Sequence, residues 1–312
     1  MRYGIALRTY EAHGDLAYAG SLVSTARLAE DLGYDSIWAA DHITVPMDDL
    51  ARLGERWLSP LVLLSYLAAH TSRIRLGTDV LVIPYRHPLF VAQTVAALDQ
   101  LSQGRVILGV GTGYIEPEFH ALGVDYESRG SRMDDHLRAL KQIWTTPGAV
   151  SYTGEYIGFE GVHVDPKPVQ RPHPPLLAAG NGRRVVRRAV ELCDGWHPLE
   201  PSLDELDASL EHMAHLCDKV GRSVPPHVSI SFRPVVIDFD GQPSDTRNAS
   251  HARKDRTLLH GTPDQVMDDV QALKRRGVTH LVLRFQGGAR GAGDVARAME
   301  RFVREIVEPM GD

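Results

Sequence analysis

The feature that most constrains the fold of this chain is a regular alternation of short apolar runs with segments of helical periodicity. The stretch from Ile74 to Glu118 shows it most clearly, because two β-branched runs, 74–82 and 105–110, flank an amphipathic segment. Each of these runs ends in small or polar residues. Alternation of this kind is typical of a parallel α/β fold, in which helices connect successive strands.

The alternation occurs eight times along the chain. The predicted strands share an apolar or β-branched centre and span residues 3–8, 36–40, 75–80, 106–110, 176–179, 195–197, 228–236 and 280–285. Helical periodicity is clearest in 21–32 and 263–276, and Gly33, Gly104 and Gly277 are predicted to cap helices. Eight strand–helix pairs predict an α/β fold, a (β/α)8 TIM barrel forming a single domain over residues 1–312.

Two segments exceed the length that such a barrel requires, and we interpret both as insertions. Residues 145–175 are rich in proline, glycine and aromatic residues, which favours an ordered excursion over a helix. Residues 238–261 contain little apolar side chain, which predicts a mobile loop or lid. The sequence shows no linker that would divide the chain into two domains.

The composition argues against several classes of function. A formal net charge of -6 gives no basic surface for a phosphate backbone, so we expect no nucleic-acid partner. Cys193 and Cys217 form no C-x-x-C pair, and no H-E-x-x-H motif or carboxylate–histidine cluster predicts a metal site. Because no run reaches the roughly 18 apolar residues of a membrane span, we expect no membrane partner and a cytoplasmic protein.

The ends of the predicted strands are polar, and in parallel barrels the reactive residues lie at the carboxyl ends of the strands. Asp41 and His42 end the second strand, and Asp79 ends the third. A histidine can give or take a proton near neutral pH, as a reaction at an alcohol or a carbonyl group requires. The alternative is a loop histidine that caps the next segment.

Two glycine-rich turns follow later strands. Gly109, Gly111 and Gly113 would let a flat ring or a phosphate approach the backbone, although Glu116 occupies the place of the third glycine of the dinucleotide-binding fingerprint. A helix is predicted to start near Arg183, after Gly180, Asn181 and Gly182, where free backbone N–H groups favour an anion. The basic residues of this helix have a second interpretation, a solvated face paired with Glu191 and Asp194.

Several motifs together resemble the luciferase-like family of flavin- or deazaflavin-dependent barrels. They are G-T-D-V at 77–80, R-H-P at 86–88 and G-V-G-T-G-Y at 109–114, with E-F at 118–119. Members of the family commonly have a bulge with a non-proline cis peptide at the place of Asp79 and Val80. The resemblance implies a cofactor held by Asp41, His42, Asp79, Val80, Gly111, Thr112, Gly113, Gly180, Asn181, Gly182 and Arg183.

The function that the resemblance implies is an oxidoreductase that uses coenzyme F420 to transfer a hydride to or from a small organic substrate. His42, Tyr114 and Glu118 are the candidate catalytic residues. Deazaflavin-dependent relatives can have an acid directly after G-T-G, where this chain has Tyr114, so the proton donor is Tyr114, a nearby carboxylate, or neither.

Two alternatives stay open. One is a monooxygenase that uses reduced FMN and therefore needs a reductase partner, and the other is a flavin- or deazaflavin-binding protein without turnover. A homodimer is expected because it is the common arrangement among the relatives.

Overall fold

A computed structural model describes residues 1–11, 19–223, 225–238, 257–285 and 292–311. The strands in chain order are β1 (Arg2–Ala6), β2 (Tyr10–Glu11), β3 (Ser36–Ala39), β4 (Arg56–Trp57), β5 (Arg75–Val82), β6 (Val106–Gly111), β7 (Ala149–Thr153), β8 (Gly158–His163), β9 (Leu176–Ala179), β10 (Gly195–His197), β11 (His227–Ile237), β12 (His260–Gly261) and β13 (Val278–Phe285). The α-helices are α1 (Ala19–Asp31), α2 (Leu50–Leu53), α3 (Pro60–Ala68), α4 (Pro88–Leu101), α5 (Glu116–Ala121), α6 (Arg129–Thr145), α7 (Arg183–Leu192), α8 (Leu203–Val220), α9 (Pro263–Arg275), α10 (Ala292–Phe302) and α11 (Glu308–Met310).

Eight parallel strands close into a barrel, in the order β1, β3, β5, β6, β9, β10, β11 and β13, and β13 pairs with β1 to complete the ring. These are the eight predicted strands, with ends that differ by at most two residues, so the prediction of a (β/α)8 barrel is confirmed. Helices surround the barrel, as the 3.6-residue periodicity predicts. Gly33, Gly104 and Gly277 have φ angles of 82°, 81° and 79°, the left-handed conformation in which a residue just after a helix is usually glycine.

The inside of the barrel combines an apolar group with a polar one. Ala6, Trp38, Ile107, Leu177 and Val282 form a small apolar cluster separate from the main core between strands and helices. Ser36, His197 and His280 are as fully buried and contact Trp38. Ser229 and Ser231 are buried too, and they bond to the two histidines and to Asp79 respectively. A barrel interior is ordinarily filled by branched apolar side chains, so the polar group requires a separate explanation.

Several excursions leave the barrel, and the one that follows β3 contributes residues to the cleft described below. The predicted insertion at 145–175 contains the antiparallel hairpin of β7 and β8, fixed to α6 by Tyr152, whose hydroxyl lies 2.6 Å from Asp135 Oδ1. The predicted lid at 238–261 falls mostly outside the described residues. An excursion that the sequence did not predict follows β3, where α2 and β4 lead back to an antiparallel pairing of β4 with β2.

Candidate active site

A cleft of about 410 Å³ opens at the carboxyl ends of the barrel strands. Nine of the residues predicted for the site line it, and they are Asp41, His42, Asp79, Val80, Gly111, Thr112, Gly113, Tyr114 and Gly180. Four others, Glu118, Asn181, Gly182 and Arg183, do not. The strand-end argument therefore locates the cleft, whereas the binding role of each residue stays a prediction.

His42 is held by a carboxylate beneath it. Its Nδ1 atom lies 2.8 Å from Oε2 of Glu118, and its ring contacts Trp57 edge to face with centroids 4.4 Å apart. Since a carboxylate accepts, Nδ1 of His42 is the donor in this hydrogen bond. Nε2 is then the nitrogen left for a ligand in the cleft, with a lone pair that can accept a proton.

Glu118 is fully buried and is held by four donors. Besides His42, it accepts hydrogen bonds from the hydroxyl of Tyr85 at 2.9 Å and from the backbone N–H groups of Ile43 and Thr44 at 2.7 and 3.2 Å. Burial alone would raise the pKa of Glu118, but these bonds lower it below its usual value, so the carboxylate stays charged. Glu118 does not line the cleft and reaches it only through its contact with His42. Its predicted catalytic role stays a prediction.

The carboxylate of Asp41 forms a salt bridge with Arg86 of the R-H-P motif. The two guanidinium nitrogens of Arg86 lie 2.6 and 2.7 Å from the two carboxylate oxygens, and the N–H of Val82 donates to Oδ2 at 2.9 Å. A bidentate pair of this kind fixes both partners. Asp41 borders the cleft, and its main contacts tie the end of β3 to the segment after β5.

The end of β5 forms the floor of the cleft. The register of β5 with β6 is interrupted between Thr78 and Leu81, and the Asp79–Val80 peptide is cis, as in the family that the motifs resemble. A Cβ atom on Gly111 would lie 2.6 Å from Cγ2 of Val80. Glycine at position 111 therefore makes room for Val80, and the two present a flat apolar surface to the cleft.

The carboxylate of Asp79 lies below this floor and is almost completely buried. It accepts a hydrogen bond from Ser231 at 2.9 Å, and Nε2 of His197 and Nη2 of Arg233 lie 3.2 and 3.5 Å from it. Burial by itself would raise the pKa of Asp79, but Arg233 and the bond from His197 hold it well below its usual value. Asp79 is therefore a permanent anion.

Tyr114 forms the outer wall and is 58% exposed. Its ring centroid lies 5.9 Å from that of His42 and 6.0 Å from the guanidinium carbon of Arg52. Tyr114 can therefore contact a substrate above His42, and its role as proton donor stays a prediction.

The start of α7 lies outside the cleft lining. Gly182 caps this helix with φ of 95°, and Asn181 exchanges two hydrogen bonds with the backbone of Leu199 at 2.8 and 3.0 Å. Arg183 is exposed and makes no ion pair within the described residues. A ligand would reach these residues through Gly180, which lines the cleft.

Two other arginines of the basic face of α7 are paired. Arg187 lies 2.9 Å from Glu191 and 3.0 Å from Asp134, and Arg188 also pairs with Asp134. This supports the interpretation of a paired face, with Asp134 where the sequence suggested Asp194.

Other residues line the cleft although the sequence did not point to them. They are Ala40, Arg52, Leu53, Trp57, Val82, Tyr85, Ala179, Leu199 and Arg233. Arg52 and Trp57 belong to the unpredicted excursion after β3. Arg233 was detectable in principle, because a charged residue within the apolar run 228–236 has no place in a barrel core.

The part of the chain that the structure describes has no helix long and apolar enough to span a membrane. Within the same residues, no cluster of three or more histidine, cysteine, aspartate or glutamate side chains could hold a metal ion. Both cysteines are buried and unpaired.

Similarity to known proteins agrees with this geometry. A family model described as luciferase-like monooxygenase matches residues 1–242. An F420-dependent glucose-6-phosphate dehydrogenase from Kineococcus radiotolerans is 36% identical over 336 residues, which cover 96% of this chain and 95% of that protein. The oxygenase component of a flavin-dependent trigonelline monooxygenase from Acinetobacter baylyi is 26% identical over 70% of this chain and 59% of that protein.

Among solved structures, the monooxygenase RslO1 from Streptomyces bottropensis has a TM-score of 0.86 at 23% identity. The alignment covers 99% of this chain and 100% of RslO1, so the two share the whole barrel.

Proposed function

Because the chain belongs to the luciferase-like monooxygenase family, we propose that it is an oxidoreductase that transfers a hydride between coenzyme F420 and a small alcohol or carbonyl compound. The observation that carries this proposal is the pairing of His42 with the buried Glu118 at the wall of the cleft. Because Nδ1 donates to Glu118, the pairing orients the imidazole and leaves Nε2 to exchange a proton with a substrate hydroxyl in the cleft.

The proton step follows from this pairing. When an alcohol loses a hydride from carbon, its oxygen must lose a proton, and Nε2 of neutral His42 accepts it. The imidazolium that forms is stabilised by the charge of Glu118, 2.8 Å from Nδ1. In the opposite direction, the same imidazolium gives the proton to the oxygen of a carbonyl compound.

The residues at the floor of the cleft fit a flat ring. Val80 and Gly111 form an apolar surface, while Gly113 has φ of 77° and turns the chain away from it. When bound there, the deazaflavin supplies the hydride chemistry, and the barrel orients it and excludes water. Gly180 and the start of α7 would take the phosphate-bearing tail, since a helix N-terminus favours an anion.

The choice of F420 over FMN is supported by the relative with the greater identity and coverage, which is F420-dependent by name. The FMN-dependent alternative is supported by the trigonelline monooxygenase, which is less similar over a shorter part of the chain. Substrates of the two relatives differ, so the substrate of this chain is proposed only as an alcohol or carbonyl class.

Titration of the purified protein with F420 and with FMN, followed by cofactor fluorescence, tests the proposal. We expect F420 to bind at least tenfold more tightly. If FMN binds more tightly than F420, the proposal is wrong, and the alternative of an FMN-dependent monooxygenase takes its place. Tight F420 binding with no hydride transfer to any alcohol or carbonyl compound in a broad panel would favour the binding protein without turnover.

A further inference from the structure

Arg233 presents a guanidinium group with free hydrogen-bond donors to the cleft. It lies in β11 where the register with β13 is interrupted, and its side chain is 24% exposed. Its Nη2 atom lies 3.5 Å from Asp79 Oδ1, and within the described residues the guanidinium makes no hydrogen bond. Its backbone N–H donates to Glu200 at 2.6 Å, which fixes the main chain at this position.

The other arginine at the cleft differs from Arg233 in this respect. Arg52 donates twice to Asp49, at 2.8 and 3.1 Å. Arg86, next to the cleft, is bound at both terminal nitrogens by Asp41. Among the described residues, Arg233 is therefore the cleft arginine whose guanidinium makes no hydrogen bond to the protein, so all of its donors are left for a ligand.

Asp79, the anion that holds Arg233, is itself held by a continuous row of buried groups inside the barrel. Nδ1 of His197 lies 3.1 Å from Oγ of Ser229, which lies 3.2 Å from Nδ1 of His280. Nε2 of His280 lies 2.9 Å from Oγ of Ser36, which accepts a hydrogen bond from the indole of Trp38 at 2.8 Å. We call His197, Ser229, His280, Ser36 and Trp38 the polar column.

The two ends of the polar column determine the direction of every bond in it. The indole N–H of Trp38 can only donate, and the carboxylate of Asp79 can only accept. Ser36 then donates to His280, His280 to Ser229, Ser229 to His197, and His197 to Asp79. These directions hold with both imidazoles neutral, and each then has a single tautomer. Burial lowers the pKa of His280 well below its usual value, which favours its neutral form.

The barrel makes room for the polar column at Gly4. A Cβ atom at this position would lie 2.4 Å from Oγ of Ser36 and 3.0 Å from Nε2 of His280. All the donors in the column point towards Asp79, so their dipoles add and favour its negative charge. Asp79 in turn attracts the guanidinium of Arg233 towards the floor of the cleft.

From this arrangement we propose that Arg233 is an anion-binding residue of the cleft, and that the polar column is a positioning device that holds it through Asp79. The ligand group is an oxyanion, a carboxylate or a phosphate ester, for which a guanidinium is well suited. The inference rests on the proposed function for the identity of the cleft. The oxyanion belongs either to the cofactor tail or to the substrate.

Three probes separate these sources. They are F420, the deazaflavin FO, which has the ring without the phosphate, and inorganic phosphate. If the anion is that of the cofactor, Arg233→Gln weakens F420 binding at least tenfold and leaves FO binding within twofold, as the loss of a charge-assisted hydrogen bond predicts. If the anion belongs to the substrate, Arg233→Gln leaves the binding of F420 and FO unchanged. The same variant then weakens the binding of inorganic phosphate to the F420-loaded protein at least tenfold.

Arg233→Lys keeps the charge and is expected to retain part of the affinity that Arg233→Gln loses. Unchanged binding of all three probes in Arg233→Gln would overturn the proposal. If neither F420 nor FMN binds the wild-type protein, the proposed function fails, while binding of inorganic phosphate to the free protein still tests Arg233.

Ser229→Ala tests the polar column, because it removes the middle hydroxyl without touching Arg233 or Asp79. We expect this variant to weaken, at least threefold, the binding of the probe that Arg233→Gln weakens, F420 or inorganic phosphate. The ¹⁵N imidazole signals of His197 should also change, because Nδ1 loses its donor. Ser65→Ala is the matched control, since its hydroxyl bonds only to the backbone of its own helix at Leu61. Altered histidine signals with unchanged anion affinity would show that the column does not position Arg233.

Discussion

Nδ1 of His42 donates to Oε2 of Glu118 at 2.8 Å, while Glu118 itself has no surface in contact with solvent. The pair thus divides two tasks between two residues. Under the proposed function, His42 meets the ligand, and Glu118 orients its imidazole and keeps a proton on Nδ1.

Glu118→Gln should lower kcat by about 10²–10⁴-fold, because the amide keeps the size of the side chain but loses the charge that stabilises the imidazolium. F420 affinity should change less than threefold, since Glu118 does not line the cleft. His42→Ala serves as the comparison and should lose at least as much turnover. Steady-state kinetics together with fluorescence titration give both quantities, and an unchanged kcat in Glu118→Gln would remove the positioning role.

Gly111→Ala should weaken F420 binding at least tenfold, since the added Cβ would lie 2.6 Å from Cγ2 of Val80 and displace the floor of the cleft. Gly109→Ala is the comparison variant for effects on folding. Its Cβ would lie 2.2 Å from the backbone oxygen of Thr78, which cannot rotate away. This second variant should lose about 1–3 kcal/mol in the free energy of unfolding. Urea unfolding and cofactor titration of both variants distinguish the effects. Normal binding by Gly111→Ala would show that Val80 does not support the ring.

Arg183→Ala should weaken F420 binding by about three- to tenfold at low salt and by less as salt rises, because an exposed charge acts on the ligand through screened attraction. Arg187→Ala is the control from the same helix. Its guanidinium is already paired with Glu191 and Asp134, so cofactor affinity should stay unchanged and stability should fall by at most about 1 kcal/mol. Equal effects of both variants on affinity would contradict the distinction between a free and a paired cation.

The protein should lose stability as the pH falls from 7.5 to 5. Burial lowers the pKa of His136 to about 4 and that of His280 well below its usual value. Below pH about 6.5 the unfolded chain takes up protons at these positions and the folded chain does not, so each histidine lowers stability by up to about 1.4 kcal/mol per pH unit.

Asp79 and Glu118 are among the carboxylates with lowered pKa values, and the stability that they contribute is lost below pH about 4.5, outside this window. Urea midpoints at several pH values measure the slope, and His136→Gln should reduce it. If the free energy of unfolding does not change with pH over this range, the buried histidines take up protons in the folded state.

The barrel was predictable because its signal is local. Each strand is a short apolar run, each following helix repeats its apolar residues every three or four positions, and the strand ends are polar. Asp41, His42 and Asp79 were found in this way. The same reasoning reached Gly182 and Arg183, which lie beside the cleft and do not line it.

The remaining parts of the site depend on contacts between residues that are far apart in sequence. The sequence around Glu118 is typical of an acid in the first turn of a helix, which is usually exposed. Only its contact with His42, 76 positions earlier, shows that it is buried beneath the site. Ser36 and His280 bond to each other across 244 positions. Neither pairing leaves a periodic signal, so the sequence alone could not predict them.

The polar column has a consequence for attempts to make this enzyme more heat-stable. A consensus approach to barrel interiors would replace Ser229 or Ser231 with valine, because branched side chains fill such a core well. Such a replacement would leave buried polar atoms of His197 and His280, or of Asp79, without a hydrogen-bond partner. It is therefore expected to lower the melting temperature and to weaken ligand recognition at the same time. At the centre of this barrel, a substitution that suits an ordinary apolar core would therefore reduce both stability and ligand recognition.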